Sequence, residues 1–181
     1  MPCIIATGRK LPCKEVVGGI QKVFIANQGT VGKATITNGI ITAFTAPSTF
    51  DLYQFDVKSA SGLEQTITTS SDNGTTFFTQ TLTLVLTKLD PLTNALLDTL
   101  IKTRPTIFVL DNNGNYLSVG LTRGCEVNGT ISGGVALGDM VGYSLTITAD
   151  EPMMSQFVQA DLVTGNIKAS AGTPTQINPS A

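Results

Sequence analysis

Hydrophobic and polar positions alternate with a period of two along most of this chain, the signature of strands with one covered face. The clearest case is Thr75–Lys88. Phe78, Leu82, Leu84 and Leu86 fall on one side, and Thr79, Thr81, Thr83 and Thr87 on the other. Threonine suits an exposed strand face because its branched Cβ favours extended backbone while its hydroxyl meets water or a partner. The same alternation predicts strands at Gln21–Asn27, Ala34–Thr37, Ile40–Phe44 and Leu63–Ser70, then at Thr106–Leu110, Asn115–Gly120, Cys125–Ile131 and Met140–Ala149. In the last of these, Val141, Tyr143, Leu145 and Ile147 share a face. Thr49–Lys58 differs, with Phe50 and Leu52 on one face and Tyr53, Phe55 and Val57 on the other, so both of its faces need cover.

Turn chemistry divides the strands. Asn38-Gly39 is the strongest short hairpin signal in the chain, and Ser71–Gly74 and Asp111–Gly114 mark two further hairpins. Ser132–Asp139 is glycine-rich and reads as a loop, and a short hairpin is expected around Thr164-Gly165-Asn166. One segment changes period to 3.6. Asp90 is placed to cap a helix over 90–102, Pro91 fits its first position, and Pro105 stops it. Leu89, Leu92, Leu96 and Leu100 form its apolar stripe, widened by Leu97 and Ile101, while Asp98 and Lys102 pair on the exposed side. Such a helix covers an open sheet edge or a barrel mouth. If fully buried, Leu96 would lose roughly 2–5 kcal/mol on truncation to alanine.

The organisation that follows is an N-terminal arm at 1–20, a β-barrel or sandwich domain at 21–152, and a C-terminal extension with a flexible tail at 153–181. The fold class is mainly β, an antiparallel barrel or sandwich closed by one α-helix. At 181 residues the chain buries a core without needing metal or disulfide staples.

Composition sharpens this reading. Charged residues make up 13% of the chain, about half the usual share, and Thr, Ser, Asn and Gly take their place. A surface with so little like-charge repulsion suits self-association. The charge is also uneven. Arg9, Lys10, Lys14, Lys22 and Lys33 face only Glu15 in the first 33 residues, whereas the remainder holds six bases and twelve acids. A basic arm on an acidic body attracts other subunits, or is simply a solvated face. The body lacks the basic patch that stable nucleic-acid binding requires, although a neutral or acidic surface is what DNA slides past.

Chemistry is sparse. The chain has no histidine, which removes the commonest general base and metal ligand. Cys3, Cys13 and Cys125 make no close metal pair, and three free thiols is the default reading, with a Cys3–Cys13 or intermolecular bridge left open. Thr130–Gly134 lacks the lysine and spacing of a phosphate loop. Asp111–Asn115 resembles part of a calcium loop but has Thr122 where the last acidic ligand belongs. Asn128-Gly129-Thr130 matches a glycosylation triplet without a secretion signal to go with it. Carboxylates such as Asp56, Glu64, Asp90, Asp98, Asp111 and Asp139 lie by turns, caps or edges, so no catalytic, cofactor-binding or metal-ligating residue is assigned. No apolar run is long enough to cross a membrane as a helix.

The stretch from the helix through IFVLDNNGNYLSVG to GDMVGYSLTITADEP resembles the C-terminal half of the tail tube proteins of tailed bacteriophages. In that family a helix, here Leu92–Ile101, precedes a hairpin with an Asn-Gly or Asp-Gly turn, here Asp111–Gly114. A closing G-Y-x-L-x-I/L-T strand, here Gly142–Thr148, runs to an acid-proline end, here Glu151-Pro152. The cysteine-bearing N-terminus and the segment after Pro152 depart from the pattern. The resemblance implies a structural virion protein, not an enzyme, that forms hexameric rings stacked into a tube for genome ejection. The family is similar to the inner tube of type VI secretion. Copies of itself, the sheath, baseplate and terminator proteins would be its partners, with DNA passing transiently and no membrane or cofactor involved. It would be assembled in the host cytoplasm and reside in the virion tail.

The same resemblance makes Thr49–Lys58 and Thr75–Lys88 the candidate ring-lining strands, with Met1–Gly19 and Ser59–Gly62 as stacking contacts. A proline at Thr81 is then expected to disrupt the tube. Another virion component, such as a terminator, connector or head-surface protein, is the alternative. A monomeric β-sandwich binding module is a further one, though no cluster of exposed aromatics marks its groove.

Overall fold

A computed structural model of the chain describes residues 7–11, 13–45, 50–57 and 60–167. It is mainly β, with two packed sheets and two helices among these residues. Strands β1 (Ile20–Ala26), β2 (Lys33–Thr37), β3 (Ile40–Thr45), β4 (Tyr53–Asp56), β7 (Thr106–Asp111), β8 (Tyr116–Val119) and β11 (Phe157–Val158) make the larger sheet. Its order is β2-β3-β11-β8-β7-β1-β4. Strands β5 (Gly62–Ser70), β6 (Thr75–Thr87), β9 (Glu126–Ser132) and β10 (Gly142–Glu151) make the smaller one, ordered β5-β6-β10-β9.

The larger sheet has core on both sides. Val23 and Ile25 of β1, with Ile107 and Val109 of β7, face the smaller sheet, where they meet Leu82, Leu84, Tyr143, Leu145 and Ile147. The intervening residues Phe24 and Phe108 point the other way, into a second core with Ile41, Phe44, Phe50 and Leu52. Strands buried on both faces lose the polar alternation of half-buried ones, so Val23–Ala26 of β1 and Ile107–Leu110 of β7 are continuous apolar runs rather than the alternating segments expected. Phe44 lies edge-on to Phe50 at 5.1 Å and to Phe108 at 5.9 Å, so an aromatic cluster fills this second core.

The structure corrects several sequence expectations. No barrel closes among the described residues, because the outer strands β2 and β4 of the larger sheet do not pair with each other. Next to β4, Leu52 makes an isolated parallel bridge to Ile167. The strand expected over Thr49–Lys58 is only the four residues of β4, while Phe50 and Leu52 precede it and serve the second core. The hairpin expected around Thr164-Gly165-Asn166 is instead the end of helix α2 (Ala160–Thr164), which buries Val163. Val141 stands just outside β10 and is exposed.

Helix α1 (Pro91–Ile101) has the capping foreseen from the sequence. The Asp90 carboxylate accepts the Thr93 N–H at 3.2 Å, and Pro91 occupies the first turn. Its apolar stripe is rotated from the expected one. Leu97 is the residue buried against the core, with Leu89 and Leu100 partly covered, while Leu92 and Leu96 face solvent. The rotation follows from the anchoring of the helix start. The Tyr143 hydroxyl, buried in β10, accepts the Asp90 N–H at 3.2 Å and donates to Asn94 Oδ1 at 2.7 Å, which ties the first turn of the helix to β10 while Asn94 itself stays exposed.

Candidate assembly surface

The outward face of the smaller sheet is the most distinctive surface of the molecule. Register alone determines it. Thr83 lies opposite Thr146, Thr81 opposite Thr148, and Thr79 opposite Asp150, while Glu64 and Thr66 flank this row on β5. Glu126, Asn128 and Thr130 continue it on β9. The four strands contain no lysine or arginine at all, so the face carries hydroxyls and amides with the carboxylates of Glu64, Glu126 and Asp150, interrupted by Val85 and Phe77. Thr79 Oγ1 donates to Asp150 Oδ1 at 2.7 Å, and Arg104, reaching in from the end of α1, meets Glu126 at 3.2 Å.

Among the described residues both edges of this sheet are open. Strands β5 and β9 are each paired on one side only, and Glu64–Thr69 and Asn128–Ser132 are exposed throughout. Exposed edges of this kind offer unpaired N–H and C=O groups to another strand. Every neighbouring pair in the sheet is antiparallel, so β5 and β9 run in opposite directions. A copy rotated about an axis along the strands therefore brings its β5 antiparallel to the first copy's β9.

At one end, β5 and β6 outrun their neighbours. The last rung to β10 is Phe78↔Glu151, and from Thr68 to Phe77 the hairpin continues as a two-stranded ribbon around Ser71–Gly74. Ile67 at its base and Phe77 are exposed, at 59% and 40%. A two-stranded ribbon is marginal alone in water, so this one gains from a partner. The candidate ring-lining strands of the sequence reading are not neighbours, since β6 lies inside the smaller sheet and β4 at the edge of the larger.

Comparison with family models, curated proteins and solved structures finds no match to this chain.

The opposite end of the smaller sheet carries the β9–β10 loop. Asp139 Oδ2 accepts the N–H groups of Val135 at 2.9 Å and Ala136 at 2.8 Å, which holds the Asp139 carboxyl below its ordinary value. The loop so fastened leaves Val135 and Leu137 fully exposed. Beside the same end, the arm joins the body at the β7–β8 turn. Asn113 accepts the Val17 N–H at 2.9 Å and donates to the Val17 carbonyl at 2.8 Å, and Asn112 donates to Gly18 O at 2.7 Å.

One buried carboxylate escaped the sequence reading. Glu151 Oε1 accepts the N–H groups of Thr122 at 3.0 Å and Arg123 at 2.8 Å, and its Oε2 is buried without a hydrogen bond. The nearby Cys125 thiol is pushed up to about 12, first by burial and then by the Glu151 charge. The signal for Glu151 was present, because extending the inward phase Tyr143, Leu145, Ile147 by two further steps lands on it. It pins the loop before β9 and is only 2% exposed. Cys13 is an exposed free thiol, and Cys3 lies outside the described residues. Among the described residues no three Cys, Asp or Glu side chains gather as metal ligands, and no helix is long and apolar enough to cross a membrane.

Proposed function

We propose that this chain is a structural subunit that assembles into rings, and that the rings stack into a tail tube of the bacteriophage type. The observation that carries the reading is the smaller sheet, with both edges open among the described residues and no basic side chain on any of its four strands. Joining β9 of one copy to β5 of the next satisfies both edges and closes a continuous antiparallel barrel around a lumen. In that ring the hydroxyl and carboxylate face lines the bore, and its strands offer a polyanion no cation of their own.

The dimensions fit a conduit. Six copies, the number implied by the tail-tube resemblance, would bring their four-stranded sheets together as a barrel. At roughly 4.8 Å per strand its circumference is about 115 Å, giving a bore of roughly 35 Å between backbones. That width passes a DNA duplex. The tube's location in the virion tail, its sheath, baseplate and terminator partners, and its role in genome ejection belong to the same proposal.

Negative-stain electron microscopy of the purified protein tests it. Hollow rings or open-ended tubes are the expected result, with end-on views giving the symmetry. Rings that never stack would move the assignment to a terminator or connector, and compact monomers at high concentration would overturn self-assembly altogether.

A further inference from the structure

Four Asn-Gly pairs occur in the chain, Asn38-Gly39, Asn73-Gly74, Asn113-Gly114 and Asn128-Gly129. In this dipeptide the asparagine side chain is open to attack by the next backbone nitrogen, because glycine has no Cβ to shield it. All four asparagines are exposed, so access does not separate them. Local restraint does.

Two of the pairs occupy turns of the same form. Gly74 N donates to Ser71 O at 3.3 Å with Gly74 at φ 61°, and Gly114 N donates to Asp111 O at 3.2 Å with Gly114 at φ 82°. Their asparagine amides differ. Asn113 Oδ1 accepts the Val17 N–H at 2.9 Å, and Asn113 Nδ2 donates to Val17 O at 2.8 Å and to Asp111 Oδ2 at 3.3 Å. The Asn73 side-chain amide has no hydrogen bond among the described residues, and only its backbone N–H is held, by Ser70 Oγ at 3.3 Å. The other two pairs are fixed through their backbones. Gly39 O accepts the Phe157 N–H at 3.1 Å in a turn closed by the rung Thr37↔Ile40, and Asn128 and Gly129 are paired with Thr146 and Leu145 inside β9. Asn73 instead tips the two-stranded ribbon beyond the rung Phe78↔Glu151, where local opening is cheapest.

We infer that Asn73 is a site of spontaneous covalent modification, deamidation through the Gly74 nitrogen. Gly74 N gives its proton to hydroxide and bonds to Asn73 Cγ, while the Cγ–Nδ2 bond breaks and Nδ2 leaves as ammonia with a proton from water. Water then opens the cyclic imide. Cleavage between Cγ and the Gly74 nitrogen leaves an ordinary aspartate, and cleavage at the Asn73 backbone carbonyl leaves isoaspartate, with the chain running through Cβ. The chemistry needs no oxidant and no second copy. Either product adds a carboxylate beside Asp72, and the extra backbone carbon of isoaspartate displaces the rung Ser70↔Thr75 that closes the ribbon.

Trypsin places the four pairs on four different peptides, 34–58, 59–88, 103–123 and 124–168, so one digest reads them all. The intact protein is held at mildly alkaline pH, sampled over time, digested and analysed by mass spectrometry. Peptide 59–88 should convert first, about ten-fold faster than 103–123, because the hydrogen bonds holding the Asn113 amide must break before it can react. In urea the four rates should draw together, and Asn73→Gln should remove the fast conversion from the folded protein. Another peptide converting first, a spread of rates that persists unchanged in urea, or a fast signal in 59–88 that survives Asn73→Gln would each overturn the assignment.

Discussion

At the scale of single residues, the phase of α1 is decided by one hydroxyl. Six apolar side chains on that helix compete for the core, and periodicity alone favours the Leu92–Leu96 stripe. The structure buries Leu97 at 4% exposure and leaves Leu96 at 40%, because Tyr143 holds Asp90 and Asn94 and so fixes the rotation. The energetic consequence is directional. Truncating Leu97 to alanine opens a cavity in the main core and should cost roughly 2–5 kcal/mol, whereas Leu96→Ala should cost less than about 1.5 kcal/mol because much of its side chain is already solvated. Urea unfolding of the two variants checks this, since the midpoint should fall sharply for Leu97→Ala and little for Leu96→Ala. Equal losses would mean that the helix docks with its other stripe. The same residue-scale logic explains Gln80 and Glu151. Both continue the inward phase of their strands, and both are kept inside by backbone N–H groups, from Gly120 at 3.0 Å and from Thr122 and Arg123.

At the scale of elements, the hairpins were legible because their turns need particular residues. Asn38 and Gly39 both have positive φ, 53° and 79°, as a tight two-residue hairpin turn demands. The half-buried strands β6 and β10 were equally legible from alternation. What stayed hidden was sheet membership, since β4 and β6 were both expected to line one ring but pair in different sheets, and pairing is set by contacts far apart in sequence. Helix α2 stayed hidden too, as five residues ending in Thr164-Gly165 carry a turn signal as much as a helical one. The β7–β8 turn offers a pH test of element stability. Burial raises the Asp111 carboxyl, but hydrogen bonds from the Asn115 backbone and side chain and from Asn113 outweigh it, leaving the carboxyl below its ordinary value of 3.8. A carboxyl lowered on folding stabilises the folded turn fully above that ordinary value. The contribution fades as pH falls through it toward the lower folded value. Amide exchange should therefore show the Asn113 and Asn115 N–H groups, which bond Asp111 Oδ1 at 2.9 and 2.7 Å, losing protection below about pH 4 before the β7 core amides do. Because the arm root is tied to Asn112 and Asn113, the same acidification should loosen the arm.

At the scale of the whole molecule, the smaller sheet combines two properties that seldom serve a monomer, open edges among the described residues and a broad face whose strands carry acids but no bases. The sequence made the threonine face of β6 visible. It did not show that β5, β9 and β10 extend that face, because only the register aligns Glu64, Asp150 and Glu126 with it. If this face lines a bore, its lack of cations is a working feature and reversing it has a distinct outcome. Thr146 is exposed in the middle of β10, opposite Thr83, so a lysine there keeps the strand and places one cation per subunit on the bore wall. Thr146→Lys tubes should form normally yet retain duplex DNA, with retention falling steeply as salt rises, because each ring now contributes a circle of phosphate contacts. A lysine at Leu92, exposed on α1 away from this face, should add the same charge without retention. Filter binding of assembled tubes over a salt series separates the cases. Retention by Thr146→Lys alone places the face toward the lumen. Equal retention by both variants would mean that DNA meets the outside of the tube and that the smaller sheet faces elsewhere.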